Sequence, residues 1–195
     1  MEQSTLVFAT NNAHKISEVK LLLGEAYTLR SLRDIGCHEE LPETGNTLEH
    51  NAKEKADYVH TTYGVDCFSE DTGLEVAALA GAPGADTAHY AGPQRSADDN
   101  MDKLLTALDG ASDRSARFRT VIALHLDGAY HQFEGVVNGR IAEARMGKGG
   151  FGYDPVFVPD GYDVSFAQMS TAEKSRISHR GRAIEKLVDF LKKTA

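Results

Sequence analysis

The start of the chain places a strand, a polar turn and a helix in immediate succession, and this order constrains the fold more than any other feature. Residues 5–9 form an apolar run with the β-branched and aromatic content of a buried strand. Ile16, Val19 and Leu23 then recur at helical spacing, and Gly24 is a suitable helix end. The pattern predicts an α/β fold, in which ligands collect at the carboxyl ends of the strands.

The turn between this strand and this helix reads Thr10-Asn11-Asn12-Ala13-His14-Lys15. Either asparagine is a good N-cap. Free backbone N–H groups and the positive end of the helix dipole favour an anion there, and Lys15 adds a movable charge. A capped helix with a surface lysine is the alternative interpretation.

A short strand, residues 65–68, runs into the adjacent carboxylates Glu70 and Asp71, and residues 27–32 are predicted to form the second strand of the chain. The sequence Asp71-Thr72-Gly73 predicts a tight turn in which Gly73 takes a positive φ. Because successive side chains of an extended chain point to opposite sides, the two carboxylates need not share a role. An ordinary solvated turn is the alternative.

The intervening helix is predicted to begin at Asn46, with Glu49 completing a capping box. Lys53 and Lys55 lie at different azimuths on this helix, so at most one faces a site shared with the buried stripe. An acidic residue in the loop before this helix would belong to a functional site only if it lay near Glu70 and Asp71. The apolar stripe comprises Leu48, Ala52, Ala56, Val59 and Tyr63, and the preceding acidic residues are Glu39, Glu40 and Glu43.

In the second half of the chain, residues 118–126 and 129–137 are strand-like and joined at Asp127-Gly128, which predicts an antiparallel hairpin and hence a mixed sheet. Ser96 is predicted to open one helix. Ser170 and Glu173 form a capping box that opens a short helix carrying Lys174. Residues 178–182 are predicted to interrupt this helix before the closing amphipathic helix.

The glycine-rich stretch 147–155 is neither a P-loop, since no Gly-Lys-Ser/Thr ends it, nor a dinucleotide fingerprint, since no helix follows it. Glycines on either side of Phe151 leave its ring uncovered, which suits stacking on a flat base. An aromatic side chain that plugs the core from a flexible loop is an equal alternative.

Charge and composition limit the partners. A net charge of −8 argues against binding a nucleic-acid backbone. No apolar run has membrane-spanning length, and Cys37 and Cys67 lack disulfide-framework or metal-ligand patterns. The 195 residues fit one domain, residues 1–195, which could have two lobes. We expect a cytoplasmic location.

Together these parts form the inventory of a nucleotide site: an anion cradle, a carboxylate pair, an aromatic platform and a cluster of hydrogen-bond donors. Carboxylates beside phosphates indicate Mg²⁺, which binds through one or two protein oxygens. A remaining carboxylate could activate water for attack on phosphorus.

The same motifs resemble the inosine triphosphate pyrophosphatase family, also called dITP/XTP pyrophosphatases. They run in order over nearly the whole chain, and the glycine-rich and Ser-His-Arg-Gly motifs are the most specific. The matching segments are Thr10-Asn11-Asn12-Ala13-His14-Lys15, Glu43-Thr44-Gly45, Glu70-Asp71-Thr72-Gly73-Leu74, Gly81-Ala82-Pro83-Gly84, Gly149-Gly150-Phe151-Gly152-Tyr153-Asp154-Pro155 and Ser178-His179-Arg180-Gly181.

The resemblance implies an elongated mixed β-sheet flanked by helices, two lobes with an active-site cleft between them, and a homodimer. It implies hydrolysis of ITP, dITP and XTP to the monophosphate and pyrophosphate, with Mg²⁺ as cofactor. By motif, Asp71 is the proton acceptor and a metal ligand, with Glu43 and Glu70 supporting the metal. The implied substrate contacts are Thr10, Asn11, Asn12, Ala13, His14, Lys15, Lys55 and Lys174 near the phosphates, Thr72, and Phe151, Gly152, Tyr153, Asp154, His179 and Arg180 at the base.

Three positions depart from the family pattern. His89 stands where many bacterial members carry arginine, His50 where many carry glutamate, and Glu70 where aspartate is more common. An ionic role at position 89 is therefore open, whereas Glu70 should still reach a metal. Two other functions stay open: a nucleotide-binding sensor that does not hydrolyse, and a Maf-like nucleotide pyrophosphatase of related architecture.

Overall fold

The structure is a computed structural model that describes residues 4–25 and 27–194. This part of the chain contains seven strands and five α-helices, besides short 3-10 turns. The strands are β1 (Ser4–Phe8), β2 (Tyr27–Arg30), β3 (Cys67–Val76), β4 (Pro83–Gly84), β5 (Ser115–Leu126), β6 (Ala129–Ile141) and β7 (Phe157–Pro159). The helices are α1 (Ala13–Leu23), α2 (Leu48–Tyr63), α3 (Ala97–Ala107), α4 (Thr171–Ile177) and α5 (His179–Thr194).

The strands are hydrogen-bonded in the order β2-β1-β3-β5-β6-β7, and β4 pairs with β3. Strand β1 pairs in parallel with both β2 and β3, whereas β3 with β4 and β6 with β7 are antiparallel. The predicted mixed α/β sheet is therefore confirmed. The predicted hairpin is also present, since Asp127 and Gly128 both have positive φ between the neighbouring strands β5 and β6.

The chain divides into two compact units. The first contains residues 1–71, 120–135 and 180–195, and the second contains residues 72–119 and 136–179. In the first unit, the apolar faces of α1 and α5 pack with β1, β3 and β5 in one core, which includes Leu6, Phe68 and Leu187. A smaller core lies around Val59 of α2. The second unit has its own core, centred on aromatic residues such as Phe118 and Phe157.

Local capping signals predicted the helix starts well where the side chain reaches its own backbone. Asn12 caps α1 by accepting from the N–H groups of His14 and Lys15. Ser96 caps α3, and the Ser170–Glu173 capping box opens α4. None of the helices in the described ranges is long and apolar enough to cross a membrane.

Strands β5 and β6 extend beyond the predicted residues 118–126 and 129–137, and three predicted boundaries next to the candidate site residues are also wrong. Strand β3 does not end before the carboxylates but continues through Glu70, Asp71 and Gly73 to Val76, because its far end is almost wholly buried and pairs with β4. Thr47, not Asn46, caps α2, since its hydroxyl accepts from the N–H of His50. Helix α5 already begins at His179, so the interruption after α4 is confined to Ser178.

Candidate active site

The turn between β1 and α1 is held by its own side chains. The Thr10 hydroxyl accepts a hydrogen bond from the N–H of Asn12 at 3.1 Å, and the Asn11 side-chain oxygen accepts from the N–H of Arg33 at 3.2 Å. With Asn12 capping the helix, these residues shape the turn and leave Lys15 to project from the first turn of α1. Ala13 and His14 are exposed.

Glu70 lies at the centre of a buried charge network in the first unit. Its carboxylate accepts three hydrogen bonds of 2.8–3.0 Å from Arg180, and Lys15 Nζ lies 3.0 Å from Oε1. Burial opposes ionisation of Glu70, but Arg180 and Lys15 outweigh it and hold its pKa below the usual range. Lys15, a predicted phosphate contact, and Arg180, a predicted base contact, thus both bind Glu70 directly.

Arg180 has a second carboxylate partner, Glu18, which the sequence motifs did not identify. Its Nη1 donates to Oε2 of Glu18 at 2.5 Å, and both side chains are buried. Glu18 lies three residues after Lys15 on α1, and a charged residue so close to the apolar stripe was the available signal. Structurally, the guanidinium predicted to read the base edge is directed at two carboxylates.

Asp71 points away from this network, as the alternation along β3 predicts. Its Oδ1 lies 3.2 Å from Lys55 Nζ, which also donates to the Glu70 carbonyl at 2.9 Å and to Glu43 at 2.5 Å. Asp71 Oδ2 is buried and has no hydrogen-bond partner among the described residues. Burial is the main cause that raises the pKa of Asp71, against the opposing charge of Lys55.

Lys55 is the inward-facing lysine of α2, whereas Lys53 is exposed and pairs with Asp57. Of the two lysines, Lys55 alone is buried with the apolar stripe, as the helical spacing predicts, and its role in a site remains a prediction. Although Lys55 is buried, the neighbouring charges of Asp71 and Glu43 outweigh desolvation and raise its pKa. It therefore stays an ammonium that joins two candidate metal ligands.

The three predicted metal ligands are not gathered into one site. No group of three or more His, Cys, Asp or Glu side chains in the described ranges is arranged to hold a metal ion. Glu70 bonds to Arg180 and Lys15, while Asp71 and Glu43 share Lys55. The roles of all three as ligands remain predictions.

In the second unit, Phe151 lies beside a buried ion pair. Lys174 Nζ is 2.7 Å from Asp154 Oδ2 and 4.6 Å from the centre of the Phe151 ring, which it covers from one side. The same carboxylate oxygen accepts from the N–H of Phe151 at 2.9 Å. A Cβ at Gly150 would lie 2.1 Å from this oxygen, so glycine is required there. Asp154 and Lys174 thus fix the aromatic ring.

Of the remaining predicted residues of the second unit, Tyr153 and His179 are buried, and Gly152 and Thr72 are partly exposed. The Tyr153 hydroxyl donates to the Thr87 carbonyl at 2.7 Å, and burial raises its pKa. The His179 ring stacks on Phe118 at 4.5 Å. Gly152 takes a positive φ, and Thr72 lies in β3 directly after the carboxylates. Their contacts with substrate remain predictions.

The two histidines that depart from the family pattern have defined neighbours. His89 Nε2 accepts a hydrogen bond from Arg95 Nε at 2.7 Å, so a cation lies beside this position. The ring of His50 packs against Gly45, where a Cβ would approach it to 2.3 Å, and its Nε2 is 3.9 Å from Glu54.

Comparison with known proteins gives one consistent result. The sequence model of the Ham1 family matches residues 6–190. A dITP/XTP pyrophosphatase of Flavobacterium psychrophilum is 54% identical over 96% of this chain and 98% of its own. One from Porphyromonas gingivalis is 51% identical over 95% and 96% of the two chains.

The fold agrees as well. The Ham1 protein of Staphylococcus aureus superposes with a TM-score of 0.90 at 37% identity, covering 98% of this chain and 100% of its own. A HAM1 protein of Coxiella burnetii gives 0.89 at 36% identity, with 97% and 99% covered.

Proposed function

Because the chain belongs to the Ham1 family, we propose that it is a nucleoside triphosphate pyrophosphatase that hydrolyses dITP, XTP and ITP to the monophosphate and pyrophosphate with Mg²⁺. Support for the first two substrates comes from the activity in the names of relatives that are 51–54% identical over almost their whole length. Such an enzyme would remove non-standard purine nucleotides from the nucleotide pool. We further propose a cytoplasmic homodimer.

One observation carries the chemical part of the proposal. A buried carboxylate oxygen, Oδ2 of Asp71, has no hydrogen-bond partner in the described part of the chain, although an unpaired buried acceptor costs about 1–3 kcal/mol. A water molecule or a cation would satisfy it. The raised pKa of Asp71 suits a group that takes up a proton, since it brings the carboxyl nearer to the operating pH.

The residues present fit Mg²⁺ through two of the three predicted ligands. Mg²⁺ is held in phosphate sites by one or two carboxylates together with substrate oxygens. Asp71 offers its unpaired oxygen, and Glu43 is about one-third exposed, with a side-chain exposure of 36%. To bind the metal, Glu70 would have to give up a hydrogen bond to Arg180 or Lys15. When bound, Mg²⁺ would neutralise charge on the phosphate oxygens.

The chain's own residues then divide the work. Lys15 binds the negative phosphates through its ammonium, and the positive end of the α1 dipole adds to the attraction. Lys55 holds the Asp71 carboxylate in place. Asp71 accepts the proton of the attacking water on the carboxylate oxygen that does not hold the metal, and the leaving pyrophosphate gains its stabilisation from the cations around it. This assignment favours hydrolysis over a sensor that only binds.

In the second unit, Phe151 is the proposed stacking platform for the purine, and Asp154 and Lys174 keep its ring in place. The carbonyl at position 6 of inosine and xanthine accepts hydrogen bonds, so donors should surround it. Backbone N–H groups and His179 are the proposed donors in the second unit. The Arg180 guanidinium would contribute only if it exchanged partners, because two carboxylates already occupy it.

The product distinguishes this function from its rivals. The purified protein with Mg²⁺ is given a panel of nucleoside triphosphates that includes dITP, XTP, ITP, ATP and non-purine members, and pyrophosphate and orthophosphate are measured separately. We expect pyrophosphate from the first three substrates and orthophosphate only after an inorganic pyrophosphatase is added. Direct orthophosphate release, a preference for pyrimidine substrates, or binding without turnover would each contradict the proposal.

A further inference from the structure

The loop that carries Glu43 has no regular secondary structure between residues 37 and 47, so it depends on outside contacts for its conformation. Three consecutive loop residues each contact a different side chain of α2. Glu43 pairs with Lys55, the residue after it bonds to Glu54, and Gly45 donates its N–H to Asn51 at 2.9 Å. Contacts with α2 therefore hold the conformation of residues 43–45.

The spacing along α2 makes this arrangement possible. Glu54 and Lys55 follow Asn51 by three and four residues, so both lie beside Asn51 on the helix surface. Asn51 and Lys55 are buried, whereas a quarter of the Glu54 side chain is exposed. The helix thus presents an amide, a carboxylate and an ammonium to three successive loop residues.

Glu54 makes the most directional of these contacts. Its Oε2 accepts from the N–H of Thr44 and its Oε1 from the Thr44 hydroxyl, both at 2.8 Å. These two hydrogen bonds are the largest causes that lower the pKa of Glu54, so the clamp holds as a carboxylate. Because Thr44 directly follows Glu43, the clamp determines where the Glu43 side chain leaves the backbone.

We infer that Glu54 is a positioning residue for Glu43: it holds Thr44 by two hydrogen bonds and so keeps the Glu43 carboxylate beside Lys55 and Asp71. The inference rests on the proposed function, in which Glu43 supports the metal. Glu54 itself would touch neither substrate nor metal. A shift of about 1 Å in a catalytic group can cost around 10²-fold in rate, so a loosened loop should be measurable.

A double-mutant cycle tests this directly. The variants are Glu54→Ala, Glu43→Gln and the two combined, with Glu54→Gln as an intermediate, since its amide has one acceptor oxygen in place of two. Asp98→Asn on α3 is the control, because it removes an exposed carboxylate that pairs with Arg145. For each variant, kcat/KM for dITP and its dependence on Mg²⁺ concentration are measured.

Two measurements without turnover accompany the cycle. Amide hydrogen exchange at Thr44 and Gly45 reports on the loop, and calorimetric titration with Mg²⁺ alone reports on the candidate ligands. Thermal unfolding confirms that each variant is folded. These measurements remain informative even if the substrate is different from the proposed one.

We expect Glu54→Ala to lower kcat/KM by about 10- to 10²-fold, with a weaker Mg²⁺ dependence and faster exchange at Thr44, and to cost nothing further in the Glu43→Gln background. Equal losses in both backgrounds, or unchanged activity despite faster exchange, would overturn the inference. If wild type hydrolyses dITP but Glu43→Gln is fully active, the positioning inference fails and the proposed function stands. No hydrolysis by wild type would instead reject the proposed function.

Discussion

The carboxylate of Glu70 accepts three hydrogen bonds from the guanidinium of Arg180. Nε donates to Oε1 at 3.0 Å and to Oε2 at 2.8 Å, and Nη2 donates to Oε1 at 2.8 Å. Both side chains are buried, and Glu18 binds the remaining side of the guanidinium. Buried charges of this kind stabilise a fold only as a set, because removing one leaves the others uncompensated. Glu70 and Arg180 are thus both predicted site residues and partners in an ion pair on which the stability of the first unit depends.

Arg180→Met should therefore destabilise the protein strongly. It leaves the carboxylates of Glu70 and Glu18 buried without their main partner, and breaking a buried pair in this way costs about 3–5 kcal/mol. Urea unfolding measures the change, with Arg117→Met as control, since Arg117 is half-exposed in its pair with Glu75 and should cost at most about 1 kcal/mol. Equal losses of unfolding free energy in the two variants would show that the buried network contributes no more to stability than an exposed ion pair.

Asp71→Asn should nearly abolish turnover while nucleotide binding survives. The amide keeps the size of the side chain but cannot accept the proton of water, and loss of a positioned general base typically costs about 10²–10⁴-fold. Single-turnover kinetics give the rate, and calorimetry with a non-hydrolysable triphosphate gives the affinity. The exposed Asp98→Asn should behave as wild type, and near-normal turnover by the Asp71 variant would refute the assignment.

Phe151→Ala should weaken nucleotide binding more than it slows the chemical step. Stacking of a base on an aromatic ring is worth about 1–3 kcal/mol, which corresponds to a rise in KM of roughly 5- to 150-fold. Tyr162→Ala provides the control, since this aromatic residue of the same unit is 42% exposed and bears no predicted role. A fall in kcat at unchanged KM would indicate that Phe151 only fills the core.

Glu39 should make the protein more stable above mildly acidic pH. Tyr63 donates a hydrogen bond to Glu39 at 2.6 Å and Tyr58 donates one at 3.0 Å, and the Tyr63 bond is the largest cause that lowers its pKa from 4.5 to about 2. Since the folded-state pKa is depressed, the contribution is present above the unfolded value and is lost as the pH falls from 4.5 towards 2.

The measurement compares the free energy of unfolding of wild type and Glu39→Gln across this pH window. The difference between them should shrink as the pH is lowered. In a Tyr58→Phe/Tyr63→Phe background, the same substitution should show a much flatter pH dependence. A difference that is constant with pH in the wild-type background would contradict the prediction.

Most of the secondary structure follows from neighbouring residues. The apolar run of β1, the helical spacing of α1 and the cap at Asn12 involve residues within a few positions of each other, so their patterns are visible in the chain. The end of β3 is different. Gly73 suggested a turn, but the strand continues because Leu74 and Glu75 pair with β4, a contact that no local pattern shows.

The candidate site divides in the same way. Motifs in the sequence identified Lys15, Glu43, Lys55, Glu70 and Asp71, and the structure brings all five into the first unit with ion pairs between them. Glu18 was missed, since its position close to the apolar stripe of α1 is the one local signal, and nothing along α1 shows that it binds an arginine 162 positions away. The anchoring of Glu43 through Glu54 was likewise invisible before the loop was seen against α2.

The sequence alone determined which residue types are available and which short segments become strands, helices and caps, because those outcomes depend on backbone preference and on neighbours within one or two turns. The tertiary structure decided which charges meet. Arg180 and Glu70 are 110 positions apart, and either could have paired with many other charged groups. In a buried environment of low dielectric each charge needs a partner, but only the packing of β3, α1 and α5 determines which partner lies within hydrogen-bonding distance.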